Sequence, residues 1–226
     1  MKKIHITTAI LSIILPVCFY TNAKADTVGQ NTDTKLSFTH FFVNDGLSQG
    51  TVVSSCQDSL GHMWFATLDG LNRDDGYRFK VYRHNSQDTT SILDNIIRKV
   101  HVDKNGDLWV GTEKGFAMFD RKMDRFRNVY TGEMAVSGFA DVSDDGTMLV
   151  AAGGSLRFFD RNRWTWNDNG APYQSKNFGA TILYRHGERI WIGTSSEGVF
   201  CYSTESGELK RISSLNVTRS IQCIIA

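Results

Sequence analysis

Two aspartate pairs, Asp74-Asp75 and Asp144-Asp145, are where acid–base chemistry would first be sought. A glycoside hydrolase needs two carboxyls that converge on one scissile bond. Each pair is followed at once by Gly76 or Gly146, a hairpin-turn sequence in which Asp ordinarily bonds its own backbone. No GxSxG, HExxH, P-loop or GxGxxG run occurs. The six histidines (His5, His40, His62, His84, His101, His186) are scattered, and Cys18, Cys56, Cys201 and Cys223 form no CxxC. No catalytic residue, metal site or cofactor is therefore expected. Binding is the chemistry that remains. The polar run from Arg83 to Asn95 holds Arg83, His84, Asn85 and Asp88; further on come Trp164, Trp166, Asn167, Asp168, Asn169 and Tyr173. Sugar recognition combines a flat aromatic face with planar polar groups, and Trp164 and Trp166 share one face of a strand by its period of two. Arg83, Asn85, Trp164, Trp166 and Tyr173 are the ligand-binding candidates. The competing reading packs both tryptophans into the outer strand of their repeat, where they compensate for the tryptophan that Leu149 replaces.

The elements that must position these residues are repeats. Asp58-x-x-Gly61-x-x-Trp64-x-x-Thr67-x-x-Gly70 returns as Asp103, Gly106, Trp109, Thr112 and Gly115. It returns degraded around Asp144, Gly146, Leu149 and Ala152, and again as Arg185, Gly187, Trp191, Thr194 and Gly198. The anchors Trp64, Trp109, Leu149 and Trp191 recur at about 40–45 residues, the period of a propeller blade. Each copy reads as four short strands separated by Asp/Gly turns. Trp supplies the packing bulk, Thr suits a pleated strand edge and Gly lets the chain turn. The most conspicuous residues are thus scaffold. The Asp-x-x-Gly-x-x-Trp turn resembles the Asp-box of sialidase-type propellers, itself a structural turn.

The chain has 226 residues, 41% hydrophobic and 22% charged, with 25 Lys+Arg against 24 Asp+Glu. That composition excludes disorder, collagen and a coiled coil, and gives no bulk charge for nucleic acid. Met1-Lys2-Lys3, an apolar stretch from Ala9 to Tyr20 and Ala23-Lys24-Ala25 read as a signal peptide cleaved before Asp26, so an exported, periplasmic chain is expected. The expected plan is a signal peptide over 1–25, a linker over 26–35 and a partial propeller over 36–226. Its blades are placed near 47–82, 96–130, 138–166 and 179–211, with a fifth beginning near 217. The fold class is all-β, a β-propeller of about four blades plus the start of a fifth, in a partial or open ring.

Asn44-Asp-Gly-Leu-Ser48, Gly61-His-Met-Trp64-Phe-Ala-Thr67-Leu-Asp-Gly70-Leu and the later Leu108-Trp-Val-Gly-Thr112 and Ile190-Trp-Ile-Gly-Thr194 resemble the two-component regulator propeller family. The resemblance implies the periplasmic sensor region of a hybrid two-component histidine kinase from glycan-degrading Gram-negative bacteria. It implies a glycan-derived small molecule as ligand. It also implies, as partners, the remainder of the sensor kinase and a second copy in a dimer. Family members carry further propeller arrays, a membrane span and a kinase, so this chain reads as an N-terminal fragment without kinase activity, tied to the membrane only through a missing C-terminal region. Lys35 to Val43 resembles the family's ring-closing strand. Two alternatives stand beside this reading: a free-standing propeller that binds proteins, and a propeller hydrolase or lyase.

Overall fold

The computed structural model describes residues 37–132, 134–167, 179–212 and 220–221. The 1–25 and 26–35 segments, Tyr173 and Cys223 lie outside the described residues. The chain divides into a unit ending at Thr39 and a compact unit from His40 onward, and the latter holds every described strand.

Four antiparallel sheets follow one another along the chain, each of four strands in sequence order. The first is β1 (Val52–Gln57), β2 (Met63–Thr67), β3 (Gly70–Asp74) and β4 (Phe79–Tyr82); the second is β5 (Ile97–Val102), β6 (Leu108–Thr112), β7 (Gly115–Asp120) and β8 (Arg125–Tyr130). The third is β9 (Val136–Asp141), β10 (Thr147–Ala152), β11 (Ser155–Asp160) and β12 (Thr165–Trp166); the fourth is β13 (Ala180–His186), β14 (Arg189–Thr194), β15 (Val199–Ser203) and β16 (Leu209–Arg211). The first strands β1, β5, β9 and β13 stand next to one another, so each sheet is a blade radiating outward from that inner row. A register shift recurs near the start of every inner strand, at Val52/Ser54, Ile97/Lys99, Val136/Gly138 and Ala180/Ile182. Such bulges add local twist. Hydroxyls there reach the next blade: Ser54 Oγ donates to the Val100 carbonyl, and Ser137 Oγ to the Ala180 carbonyl.

Apolar side chains on both faces of each blade make the cores between blades. Trp64, Ala66 and Leu71 of the first blade pack with Val100, Val110 and Phe119 of the second. Trp109 and Phe116 pack with Phe139, Met148 and Phe159 of the third. Leu149 and Phe158 then pack with Ile190, Ile192 and Tyr202 of the fourth. Trp64 and Trp109 are fully buried, Leu149 is 1% exposed, and Trp191 is only half-buried. Full burial of a large apolar side chain stabilises by about 1.5–3 kcal/mol or more, so these anchors carry much of the stacking.

Two details differ from the sequence reading. Thr67, Thr112 and Thr194 close the β2–β3, β6–β7 and β14–β15 hairpins: each hydroxyl donates to the carbonyl of Gly70, Gly115 or Gly198 and accepts an amide N–H from the turn. They are fully buried, and hydrogen bonding is what makes a buried hydroxyl tolerable. Gly115 is required there, because at φ +151° an added Cβ would collide with the Val129 carbonyl. The second detail is register. Cys56 faces Trp64, His101 faces Trp109, Ala140 faces Leu149 and Tyr184 faces Trp191. The positions equivalent to Asp58 and Asp103 are therefore Val142 and His186, not Asp144 and Arg185. The third blade's first turn is longer and the fourth's is shorter, which displaces a comparison anchored on sequence spacing.

The described part of the expected closing segment pairs with no sheet: Phe42 is extended, and Val43–Asp45 is a 3-10 turn. A closing strand needs the exposed edge of a last blade, and none of the described sheets offers its edge to this segment. Instead Phe41 packs edge-on against Phe79 at 5.4 Å, and the Ser48 amide donates to Asn72 Oδ1 at 2.7 Å, covering part of the first blade's outer flank.

Candidate functional site

The repeated aspartates are fully engaged. Asp58 Oδ1 accepts the Leu60 and His62 amides, which shape the β1–β2 turn. Its Oδ2 accepts the Trp64 indole N–H at 2.8 Å and the Arg121 guanidinium at 2.6 Å, the latter from the second blade. Asp103 repeats this with the Asn105 and Asp107 amides, the Trp109 indole at 2.9 Å and Arg161 of the third blade at 2.6 Å. Burial pushes the Asp58 carboxyl up, but the Trp64 N–H, Arg121 and the His62 amide outweigh it and hold the group at about 2. These are latches between blades. Sequence reasoning missed Arg121 and Arg161, although Phe119-Asp120-Arg121 and Phe159-Asp160-Arg161 recur at one offset from Trp109 and Leu149.

The ligand-binding candidates are not brought together. Arg83 follows β4, and its guanidinium is bound to the Asp69 carboxylate at 2.9 Å and the Asp69 carbonyl, at the blade end formed by the β2–β3 turn. Asn85 is exposed; its side chain accepts the Gln87 amide within a loop stitched to β8 by Asn128 and by the Phe126 amide. Trp164 and Trp166 lie at the other end, in the β11–β12 hairpin. Trp164 stacks on Trp109 at 5.7 Å with the Arg127 guanidinium 3.8 Å from its ring. Trp166 meets Phe116 and Phe159 edge-on, with Arg157 4.1 Å from its ring. Both rings wedge the second blade against the third. Tyr173 lies outside the described residues.

The acidic pairs also serve their turns. Asp74 Oδ1 accepts the Gly76 amide, and Asp75 Oδ1 accepts the Tyr77 and Arg78 amides, which hold its carboxyl below the usual range. Asp144 pairs with Lys104, and Asp145 accepts the Ser143 hydroxyl and the Thr147 amide. Among the described residues no three His, Cys, Asp or Glu side chains converge on a point that could hold a metal ion.

The place where polar groups from different blades do converge is axial. A cavity of ≈ 400 Å³ is lined by all four inner strands, with Gln57, Lys99, His101, Asp141, Tyr184 and Arg185 among its walls. Asp141 is countered by Arg161 at 3.4 Å and accepts the Lys104 amide at 3.1 Å. Arg185 donates from Nη1 to the Asp141 carbonyl and from Nε to the Gly187 carbonyl, both at 3.0 Å. His101 stacks on Phe139 at 6.2 Å, and its buried Nε2 has no hydrogen-bond partner. Burial, with the Lys99 charge, holds the imidazole below its ordinary pKa against the pull of Asp141 and Asp103. Burial likewise pushes the Cys56 thiol up to about 12, which disfavours its thiolate form. A second groove, of ≈ 520 Å³, runs along the fourth blade past Trp191, Cys201 and Lys210.

Four-stranded sheets stacked flank to flank about an inner row, bridged by Asp–Arg–Trp contacts, define a β-propeller. Residues 46–69 and 91–114 match the two-component regulator propeller family. These are the two copies that keep Asp, Trp and Thr together. A stretch of 55 residues is 51% identical to histidine kinase P4 of Formosa agariphila, covering 24% of this chain and 4% of that protein. The fold is similar to the extracellular domain of the hybrid two-component system BT3049 of B. thetaiotaomicron, with TM-score 0.63 and 21% identity over 77% of this chain and 26% of that one. It is also similar to PorZ of the type-IX secretion system of Porphyromonas gingivalis, with TM-score 0.57 and 17% identity over 75% and 23%. At these identities the shared property is the fold, and the chain spans about a quarter of these two solved chains. No helix among the described residues is long and apolar enough to cross a membrane.

Proposed function

We propose that this chain is a ligand-sensing propeller of a hybrid two-component signalling protein, exported to the periplasm, and that it detects glycan-derived oligosaccharides. The carrying observation is that the two repeats matched to the family are the two whose latches are complete, and that the 51% identity is to a histidine kinase. The extracellular assignment of BT3049 supports the exported side. The engagement of Asp58, Asp75 and Asp103 in backbone turns and blade latches supports binding rather than hydrolysis. In this reading a bound ligand biases the periplasmic assembly, and the kinase across the membrane reads that bias. Titration calorimetry of the purified chain against a panel of neutral and acidic oligosaccharides tests the sensing half. Saturable heat with one glycan class is expected, and silence across the panel overturns it. Sequencing past codon 226 tests the signalling half: an open or frameshifted reading frame encoding more repeats, a span and a kinase is expected, and a clean intergenic region overturns it.

A further inference from the structure

We infer that the flank of the fourth blade facing away from the third is the docking surface for one further blade of this polypeptide, entered at Ser220–Ile221, and that the docked blade presents an acidic or aromatic side chain to Lys210. A pattern shared by the blade contacts carries the assignment. On the flank toward its successor each blade lines up one side chain per strand, since directly opposite residues share a face. The first blade's row is Cys56, Trp64, Arg73 and Lys80; the second's is His101, Trp109, Met118 and Arg127. Each of these rows ends in a cation, and the outer hairpin of the next blade meets it. Lys80 pairs with the Asp124 carboxylate, and the Arg127 guanidinium lies 3.8 Å from the Trp164 ring. Asp124 and Trp164 hold one place, four residues past Asp120 and Asp160, at φ 52° and 60°. At the third contact both partners change together. The row Ala140, Leu149 and Phe158 ends at Asn167, and Gly207, at φ 69°, takes the hairpin place.

The fourth blade restores the row as Tyr184, Trp191, Cys201 and Lys210. Trp64 and Trp109 are wholly buried by the blades that follow them, whereas Trp191 is half-buried and no described sheet stacks upon it. The ≈ 520 Å³ groove runs along this row. Lys210 is 68% exposed and has Glu208 of its own strand at 2.8 Å, a surface pair that costs little to open. The point of entry for the occupant is in place. Ser137 Oγ donates to the carbonyl of Ala180, the first residue of β13. Thr181, at the same bulge of the fourth blade, donates to the carbonyl of Ile221, and the Ile221 amide donates to the Thr194 carbonyl at 2.9 Å. Ile221 therefore opens an inner strand on the fourth blade as Ala180 does on the third, and it takes the room that the inner strand of a second copy would need. His186 stands where Asp58 and Asp103 stand, so this contact, like the third, needs no arginine latch.

The test extends the full chain past Ala226 with a second copy of residues 107–131, which adds three strands and the Asp124 hairpin to the strand begun at Ile221. Cys201, in the middle of the row, reports docking through maleimide modification located by peptide mass. Modification in the unextended chain, and at least about tenfold slower modification in the extended one, are expected, because the reagent then waits for local opening. Asp124→Lys in the appended copy restores fast modification, and adding Lys210→Glu slows it again. Equal rates in the two chains, or rates indifferent to these charge reversals, overturn the proposal. Should the appended strands stay unfolded by circular dichroism, the pairing is read in the unextended chain. There Lys80→Glu lowers the unfolding midpoint by about 2–4 °C, and Lys80→Glu with Asp124→Lys recovers it. No recovery overturns the proposal. Cys201 protection that grows with the concentration of the unextended chain assigns the flank to a second copy and overturns it too. Glycan binding enters none of these readouts, so they stand or fall apart from the sensing reading.

Discussion

The contact between the second and third blades and the contact between the third and fourth solve one packing problem with different chemistry. The former holds Trp109, Asp103 and Arg161 in a closed polar knot inside an aromatic core. At the latter the equivalent places are Leu149, Val142 and Thr204, and the core is aliphatic with a Phe158–Tyr202 pair at 5.9 Å. All three members of the knot are absent together. A buried carboxylate is tolerable only with its partners, and an indole N–H needs an acceptor, so removing one member leaves the others stranded while removing all leaves an ordinary core. The comparison teaches that the repeat's aspartate is a shared structural part.

Breaking the knotted contact has the largest expected effect. Trp109→Ala loses about 4–5 kcal/mol of unfolding free energy in a urea titration, against about 3 kcal/mol for Leu149→Ala at the plain contact. Equal losses would show that the two anchors carry equal weight. Next comes Arg161→Met, which strands Asp103 and Asp141 and costs about 3 kcal/mol; the pair Asp103→Leu with Arg161→Met recovers only part of it, because Asp141 and the Trp109 N–H stay unpaired. Failure of the pair to recover would place the loss in packing of the arginine stem.

Acid gives a smaller, directional effect. The Asp58 carboxyl is held at about 2 in the folded chain against 3.8 when free, so its latch stabilises fully above about pH 4 and is lost as pH falls toward 2. The amount is about 2 kcal/mol. Asp58→Asn removes that slope from a pH series of unfolding midpoints; an unchanged slope would sink the claim. The smallest expected change is Thr112→Val, which breaks a hairpin hydroxyl bond and costs about 1 kcal/mol.

The blades were legible because each rests on a local pattern: Gly at a turn, an anchor midway along a buried strand, Asp before it. The partners that matter most are not local. Arg121 and Arg161 act on carboxylates in the preceding blade, so no window of one repeat's length pairs them. Aligning the two Phe-Asp-Arg runs would have exposed them. It would also have set Trp164 opposite Asp124, the two non-glycine residues at positive φ among the described ones, and so put Trp164 at the blade junction. Asp124 there takes the Tyr82 hydroxyl and the Lys80 ammonium, where Trp164 takes the Trp109 ring and Arg127. Val142 was hidden because a longer turn shifts register without altering composition. The axial cavity has no sequence signature, since His101, Asp141 and Arg185 meet only through the ring.

The latches also impose an order in time. Each aspartate waits for an arginine that lies 63 residues later for Asp58 and 58 later for Asp103. As the polypeptide leaves the ribosome, a newly emerged blade keeps an uncompensated carboxylate until its successor arrives. Blades so built lock from first to last, and an interruption within one of them leaves its predecessor unfastened.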